Sequence, residues 1–588
     1  MNLMKQILLS VGLLLASVAV WGQTKSFQVD EPGTLNQVIP GDEKYTLTDI
    51  KISGKINGSD MVVIRDMAGR DRKSAATEGK LTRLDLSEAD IVSGGASYFE
   101  SLEGDLYATD NTIGESMFDL CDRLTYINLP KSVKKIDKAA FSGCTALDEI
   151  VMHEGLGELG EAAFVACGFP EITIPEGVVE LPDLLFYFCD NLTKVRFPKS
   201  LSKIGKEIFS ECFSIKDIEI AEGNQSFVVD DGVLYDSNKS SLLYYIVNRP
   251  GSDFTLPASV KTIADGAFAN TTLNMVTLNE GLTAIGEFAF DGSSLSSLTL
   301  PSTVRSVGKY AFNNCSSLKE VSLEASLDSL SESMFSQCRA LGSLNIPSNI
   351  KTIGMMAFSG CKGLRSVTLP DRLQVVKDMA FANCKALESV KIPSSVTSFG
   401  KGLFYGCTGL QECILPQNMT EIPYQMFYGC TSLKAIEIPQ TVKYIMHYAF
   451  QNSGLTKLSI PRSVVSITDG AFSGCKDIAE IHNYNPVPQP LGMIPVFFML
   501  NADIPLYVPF GCKSAYEEAG GWNEFLNVIE MQEHETDPTG IGNTADTGSE
   551  IVREVDFHDL NGNRVTKDHR GLTIVRMSNG DVRKVMTR

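Results

Sequence analysis

Histidine, tryptophan and basic charge are all scarce in this sequence. Among its 588 residues are six His and two Trp, and 51 Lys and Arg stand against 71 Asp and Glu. The resulting net charge of −20 argues against binding a nucleic acid through its phosphates, which requires a basic face. The six His (153, 447, 482, 534, 558 and 569) are dispersed along the chain. No H-E-x-x-H, G-x-S-x-G or P-loop pattern occurs, and no C-x-x-C. These absences remove the usual sequence signals of a zinc protease, a serine hydrolase, a nucleotide enzyme and a zinc ribbon. A dispersed Ser-His-Asp arrangement would need a strained turn that regular repeats rarely supply. No catalytic residue, cofactor or metal ligand is therefore assigned. Carboxylate pairs such as Asp230-Asp231 sit in turns, where solvation accounts for them.

Beyond the N-terminus, no run approaches the ~20 apolar residues of a membrane-spanning helix. The N-terminus itself reads as an export signal over residues 1–22. Lys5 supplies the positive charge, Ile7 to Val20 the apolar run, and Gly22 the small residue before a cleavage point. A membrane anchor is the competing reading, and the apolar run is short for it. The first Cys is Cys121, too far along for a lipoprotein anchor.

What the sequence has in abundance is a repeat. Phe recurs at 118, 141, 164, 186 and 209, then at 268, 290, 312, 335, 358, 381, 404, 427, 450 and 472. Every interval is 22 or 23 residues except Phe209 to Phe268, which is one repeat plus 36 residues. Three residues after each Phe stands Cys, Ser or Thr, and twelve of these fifteen are Cys. In the unit from Ala357, Leu364 to Leu369 reads L-x-x-V-x-L, a short strand with one face turned inward, and Pro370 closes it. The 22-residue intervals each lose one residue before the strand, which preserves strand register. A lone unit has too few inward apolar side chains to offset ordering its backbone, so it must stack on its neighbours. The expected fold is an elongated repeat solenoid with a parallel β-sheet along one face, N- and C-terminal caps and a small C-terminal β-module.

The repeat IPSNIKTIGMMAFSGCKGLRSVTLP, from Ile346, resembles the BspA-type leucine-rich repeat of surface proteins from anaerobic bacteria and some protists. The match spans residues 113–483. For some members the resemblance implies adhesion and host-protein binding.

The flanks divide as follows. Residues 23–112 read as an N-terminal cap, with a strand over Tyr45–Ile52, a helix over Met61–Ala68 N-capped by Asp60, and a divergent first rung at Lys80–Ser87. A separate ligand-binding domain is the alternative. An insertion at about 221–254 carries three strand-like runs, Phe227–Val229, Val233–Tyr235 and Leu242–Val247. Either it packs on the array, or it buds outward and Tyr235, Tyr244 and Tyr245 grip a partner. Residues 484–532 resemble the closing cap of such arrays, with helices expected at Lys513–Ala519 and Trp522–Leu526. Residues 533–550 read as a linker. Residues 551–588 form a β-rich tail with an Asn-Gly turn at 579–580. The tail partly resembles the end of type IX secretion sorting domains; a plain terminal β-module is the alternative.

Two rows remain to interpret. The twelve Cys occupy one inward position that also accepts Ser and Thr, so it needs a small, weakly polar side chain rather than a bond. Such a group can satisfy a buried backbone atom; disulfides between rungs are the alternative. Cys413 sits at the valine position of its strand, in the core. The outward strand position holds Asn128, Val151, Thr173, Arg196, Glu219, Thr277, Thr299, Ser322, Asn345, Thr368, Lys391, Ile414, Glu437, Ser459 and His482. It is either a solvated face or a ladder for an extended extracellular protein or glycan. Arg196, Glu219, Asn345, Thr368, Lys391, Glu437 and His482, with the three insertion tyrosines, are the candidate contacts. The row has no large aromatic, which favours protein over glycan. The whole reads as an exported, monomeric recognition protein of the cell surface or secreted fraction. A structural or periplasmic scaffold is the second reading and a glycan-active enzyme the third.

Overall fold

A computed structural model describes residues 24–532, apart from 248, and the backbone of three further strands in the tail. Residues 1–533 and 534–588 are two separate units. The export signal, the linker and the Asn-Gly turn lie outside the described residues. The tail strands Glu554–His558, Gly571–Met577 and Val582–Thr587 form an antiparallel sheet in chain order. No described helix is long and apolar enough to cross a membrane.

The larger unit is a β-solenoid in which each Phe marks one rung. The L-x-x-V-x-L segments form short parallel strands, such as Ser343–Asn345, Ser366–Thr368 and Ser389–Lys391, paired in register with the next rung. A second ladder of two-residue parallel strands runs alongside, as in Thr352–Ile353, Val375–Val376 and Ser398–Phe399. Sequence periodicity does not show it, because two residues are too short for an alternating pattern.

Inside, the Phe rings stack. From Phe118 to Phe209 and from Phe268 to Phe472, successive ring centroids lie 4.8–5.9 Å apart and the planes are within 19°. The column reaches one step further than the repeat, to Phe497, against which Trp522 closes. All fourteen Cys are free, thirteen of them buried. Eleven of the row's twelve thiols donate to the carbonyl of the Phe one rung earlier, at 2.8–3.2 Å, as Cys361 Sγ does to Phe335 O. The twelfth, Cys121, belongs to the first Phe rung. Ser293 and Ser453 place hydroxyls 3.2 Å from the next rung's thiol, which explains their tolerance. Burial pushes the Cys361 thiol up to about 12.

Each Phe sits between two left-handed residues, two before it and two after, in all fifteen rungs. Gly or Asn fills ten of the fifteen later positions, as at Gly429 and Asn452. These residues suit positive φ.

The N-terminal segment adds three rungs to the first sheet, in the order Lys25–Val29, Asp49–Ile56, Arg83–Ile91, then Tyr126–Asn128. The helix runs over Gly58–Met67, and Asn57, not Asp60, is its N-cap. Asp60 completes a capping box and also ties the loop at Gly33 and Leu35 by accepting from both amides. Buried Arg65, from this helix, donates to Ser116 O and Met117 O. Tyr98 Oη donates to Glu115 O at 2.9 Å. At the other end Lys513–Glu518 is helical, but Trp522–Leu526 is a turn following Gly520-Gly521.

The insertion does not bud outward. Strands Phe227–Asp230, Val233–Asp236 and Ser241–Tyr245 form an antiparallel meander whose last strand joins Thr262–Ile263 in parallel. The meander separates two hydrophobic cores. Leu234, Tyr244 and Ile246 belong to the one before it, and Val233, Tyr235, Leu242 and Tyr245 to the one after.

Replacing Phe358 by Ala removes a ring from the middle of the stack and should cost about 3–5 kcal/mol. Gly429→Ala adds a methyl with no atom nearer than 3.8 Å, so only the left-handed backbone is penalised. The expected loss is about 1 kcal/mol. Urea unfolding midpoints of the two variants check both values.

Candidate functional site

The outward row follows the sheet, and neighbouring rungs pair in register, for example Asn345 with Thr368 and Arg196 with Glu219. Inward neighbours such as Leu344, Val367 and Val390 anchor each strand in the core. The outward side chains from Thr173 to Glu437 are exposed, Arg196 being half-buried.

The row has two regions of different chemistry. Around Arg196 it is charged and internally paired. Arg196 Nη1 lies 2.9 Å from Glu171 and its Nε 2.8 Å from Glu219. Lys194 Nζ pairs with Asp217 at 2.8 Å and also with Glu219. The Lys194 hydrogen bond, then that of Arg196, holds the Glu219 carboxyl below the usual carboxylate range. A partner here must compete with existing ion pairs. Farther along, Ser343, Asn345, Ser366, Thr368, Ser389 and Lys391 form an exposed plot, two residues wide and three rungs deep. It is neutral but for Lys391, and among these six no side-chain bond to another described residue occurs, so its hydroxyls and amide are available to a ligand.

Other candidates are placed differently. Tyr235, Tyr244 and Tyr245 are buried, because both faces of the meander are covered by the two cores. None grips a partner by protruding. His482 is also buried: Pro505–Val508 adds a strand beside it, and the Tyr507 ring stacks at 4.4 Å. Glu437 is exposed, but its rung forms no ladder strand, so it stands outside the regular sheet.

Aromatics also line the turn side of the rungs, outside the outward row. Tyr405 and Tyr428 stack at 4.7 Å, and Phe288 and Tyr310 at 4.8 Å. Tyr424, His447 and Tyr448 form a third group. Their signal was spacing: Tyr405 and Tyr428 each follow a repeat Phe directly. Among the described residues, no group of three or more His, Cys, Asp or Glu could hold a metal ion.

The family model for the BspA type leucine-rich repeat region matches six copies, over residues 111–239, 247–365 and 351–479. The chain belongs to the BspA-type leucine-rich repeat family. Nothing among the curated proteins matches it. Among solved structures, it is similar to a leucine-rich repeat protein from Eubacterium ventriosum. That match has 27% identity over 55% of this chain and 82% of the other, with a TM-score of 0.49. It is also similar to one from Bacteroides ovatus, with 24% identity over 62% and 92% and a TM-score of 0.42. A leucine-rich cell surface protein from Faecalibacterium prausnitzii matches with 23% identity over 69% and 89%, at a TM-score of 0.32. In this BspA-type chain the repeat model runs on both sides of the insertion, so the insertion interrupts one array rather than joining two different ones.

The Glu219 carboxyl contributes stability above the ordinary Glu value of 4.5, and that contribution is lost as pH falls through its lowered one. Glu219→Gln removes it. The urea midpoints of the two proteins should therefore differ most near about pH 6 and converge below about pH 4.5.

Proposed function

We propose that this BspA-type protein is an exported recognition protein that binds an extracellular protein partner through the exposed face of its first sheet. The observation that carries the reading is the plot from Ser343 to Lys391. There a rigid ladder presents hydroxyls, an amide and one cation at fixed spacing, without large apolar side chains. Such a surface suits hydrogen bonding to a polar partner, with the inward Leu and Val holding it still. The N-terminal apolar run and the family's solenoid fold support export and recognition together. No residue is assigned a catalytic role, and the protein acts as a monomer. The tail from 551 serves as a sorting or attachment segment.

One observation favours a second reading. The stacked pair Tyr405–Tyr428 offers ring faces of the kind that pack on sugars. In that case the partner is a glycan, bound on the turn side.

The test is to probe arrays of extracellular proteins and of glycans with the purified chain. A variant with Ser366→Arg and Thr368→Arg crowds the sheet face but leaves the core alone. It should lose roughly tenfold or more in affinity for a protein ligand, at unchanged Tm. Full binding by that variant would reject the sheet face as the contact. Binding to glycans alone, abolished by Tyr405→Ala, would establish the second reading. Protease treatment of intact cells should cleave the protein; complete protection would place it inside the envelope, as a scaffold.

A further inference from the structure

In fourteen of the fifteen Phe rungs, three backbone amides point along the array and donate to the next rung. They belong to the Phe and to the residues two before and two after it. Their acceptors are three carbonyls at alternate residues of the following rung, at 2.6–3.2 Å. For Phe186 the donors are Leu184, Phe186 and Phe188, and the acceptors are Lys206, Ile208 and Ser210.

The Phe209 rung is the exception. The amides of Glu207, Phe209 and Glu211 reach no backbone carbonyl among the described residues, because the meander occupies the place of the next rung. The facing wall is better served. Tyr245 N donates to Ala267 O at 2.9 Å, taking the part of the missing Phe209 bond. Both sheets are interrupted at the same level: Asp217–Ile220 and Lys203–Ile204 are edge strands.

Between the walls lies a cavity of about 230 Å³ lined by Glu207, Phe209, Ser210, Tyr244, Asp265 and Gly266, with Lys206 at its exposed rim. A smaller recess beside Glu211 and Asn270 adjoins it. Tyr244 covers the Phe209 ring at 5.0 Å and is only 9% exposed, yet its hydroxyl has no hydrogen-bond partner among the described residues. Three amides without an acceptor among the described residues, beside a buried hydroxyl, are unusual in a chain that satisfies the same three amides in every other Phe rung.

We propose that this seam is a binding cleft for an extended segment of a partner polypeptide carrying a basic side chain. Its main-chain carbonyls accept from the Glu207, Phe209 and Glu211 amides, as the carbonyls of the next rung do elsewhere. The donor spacing selects the ligand class: three acceptors at alternate residues is what a polypeptide backbone offers, and strand addition at an open edge is an established mode of peptide capture. Charge selects the side chain. Glu207, Glu211 and Asp265 surround the cleft, and Lys206 is already paired with Asp265 at 3.0 Å. An anionic ligand is repelled, whereas a Lys or Arg relieves the crowded carboxylates. Burial, then Asp265 and Glu287, pushes the Glu207 carboxyl upward, consistent with a site short of positive charge. The Tyr244 hydroxyl donates to a further carbonyl.

This cleft is independent of the sheet face, so the Ser366→Arg and Thr368→Arg variant leaves it unchanged and the two readings fail separately. The experiment uses the full chain. Amide hydrogen exchange followed by mass spectrometry should show residues 205–212 exchanging at least about tenfold faster than the equivalent 182–189. A phage-displayed random heptapeptide library should then yield Lys- or Arg-containing sequences, and the synthetic peptide should slow exchange in 205–212. Tyr244→Phe removes only an unpartnered hydroxyl, so it should keep or raise the Tm while weakening the peptide about tenfold. Ser210→Trp fills the cleft and should abolish binding. The proposal is overturned if 205–212 exchanges as slowly as 182–189. It is overturned equally if no peptide is selected, leaving a cleft that holds water only, or if the selected peptides bind both variants as well as the parent.

Discussion

A rung of this solenoid cannot satisfy its own buried backbone. The stretch around each Phe turns twice through left-handed residues, which throws three amides toward the next rung and three carbonyls toward the last. Water is excluded there by the stacked rings, so the partners must come from the neighbouring copy. The thiol row serves the same need, because eleven of the fifteen Phe carbonyls take a second bond from the Cys of the following rung. A small side chain with one weak donor fits the space, and that requirement admits Ser and Thr beside Cys. Stacking is thus a condition of folding, and a single copy has no stable form of its own.

The same constraint explains the places where the array begins and breaks. Ahead of the first Phe rung no earlier copy exists. The Tyr98 hydroxyl and the Arg65 guanidinium take over the bonds to Glu115 O and Met117 O. At the insertion a meander replaces the next rung, and its two faces divide the core between them. One of its sides is fitted by the Tyr245 amide, and the other leaves the Phe209 rung open. A fold that satisfies its backbone this thoroughly makes an unsatisfied rung informative, since water or a ligand must stand in for the missing copy.

Much of this was legible in the sequence, for a physical reason: a repeat fixes the same side chain in the same environment fifteen times. The Phe spacing gave the rungs, and exchange among Cys, Ser and Thr gave the row its buried, donor-bearing character. The strands of the insertion were also legible, since Asp231-Gly232 marks their turn. What failed depended on neighbours far along the chain. For Tyr235, Tyr244 and Tyr245 the sequence leaves packing and protrusion both open, because local alternation cannot show that both faces of a meander are covered. His482 read as exposed because the strand that covers it, Pro505–Val508, lies beyond the last regular repeat. The second ladder was too short to leave a pattern. On the candidate surface, Arg196 and Glu219 were read as available, whereas adjacent rungs pair them.

The solenoid's interior is committed to stacking, so the recognition proposed above is left to the outward row, the turn-side aromatics and the seam. The whole fold depends on an interior lined by rings and thiols that water does not reach. Counting thiols that react with a water-soluble disulfide reagent in the native chain, then again in denaturant, tests this most directly. Burial raises the Cys121 and Cys361 thiols above their ordinary range, and of the fourteen only Cys512 is partly exposed. One fast thiol before denaturation and fourteen after it is the expected result; rapid reaction of most thiols in the native protein would contradict the stacked interior.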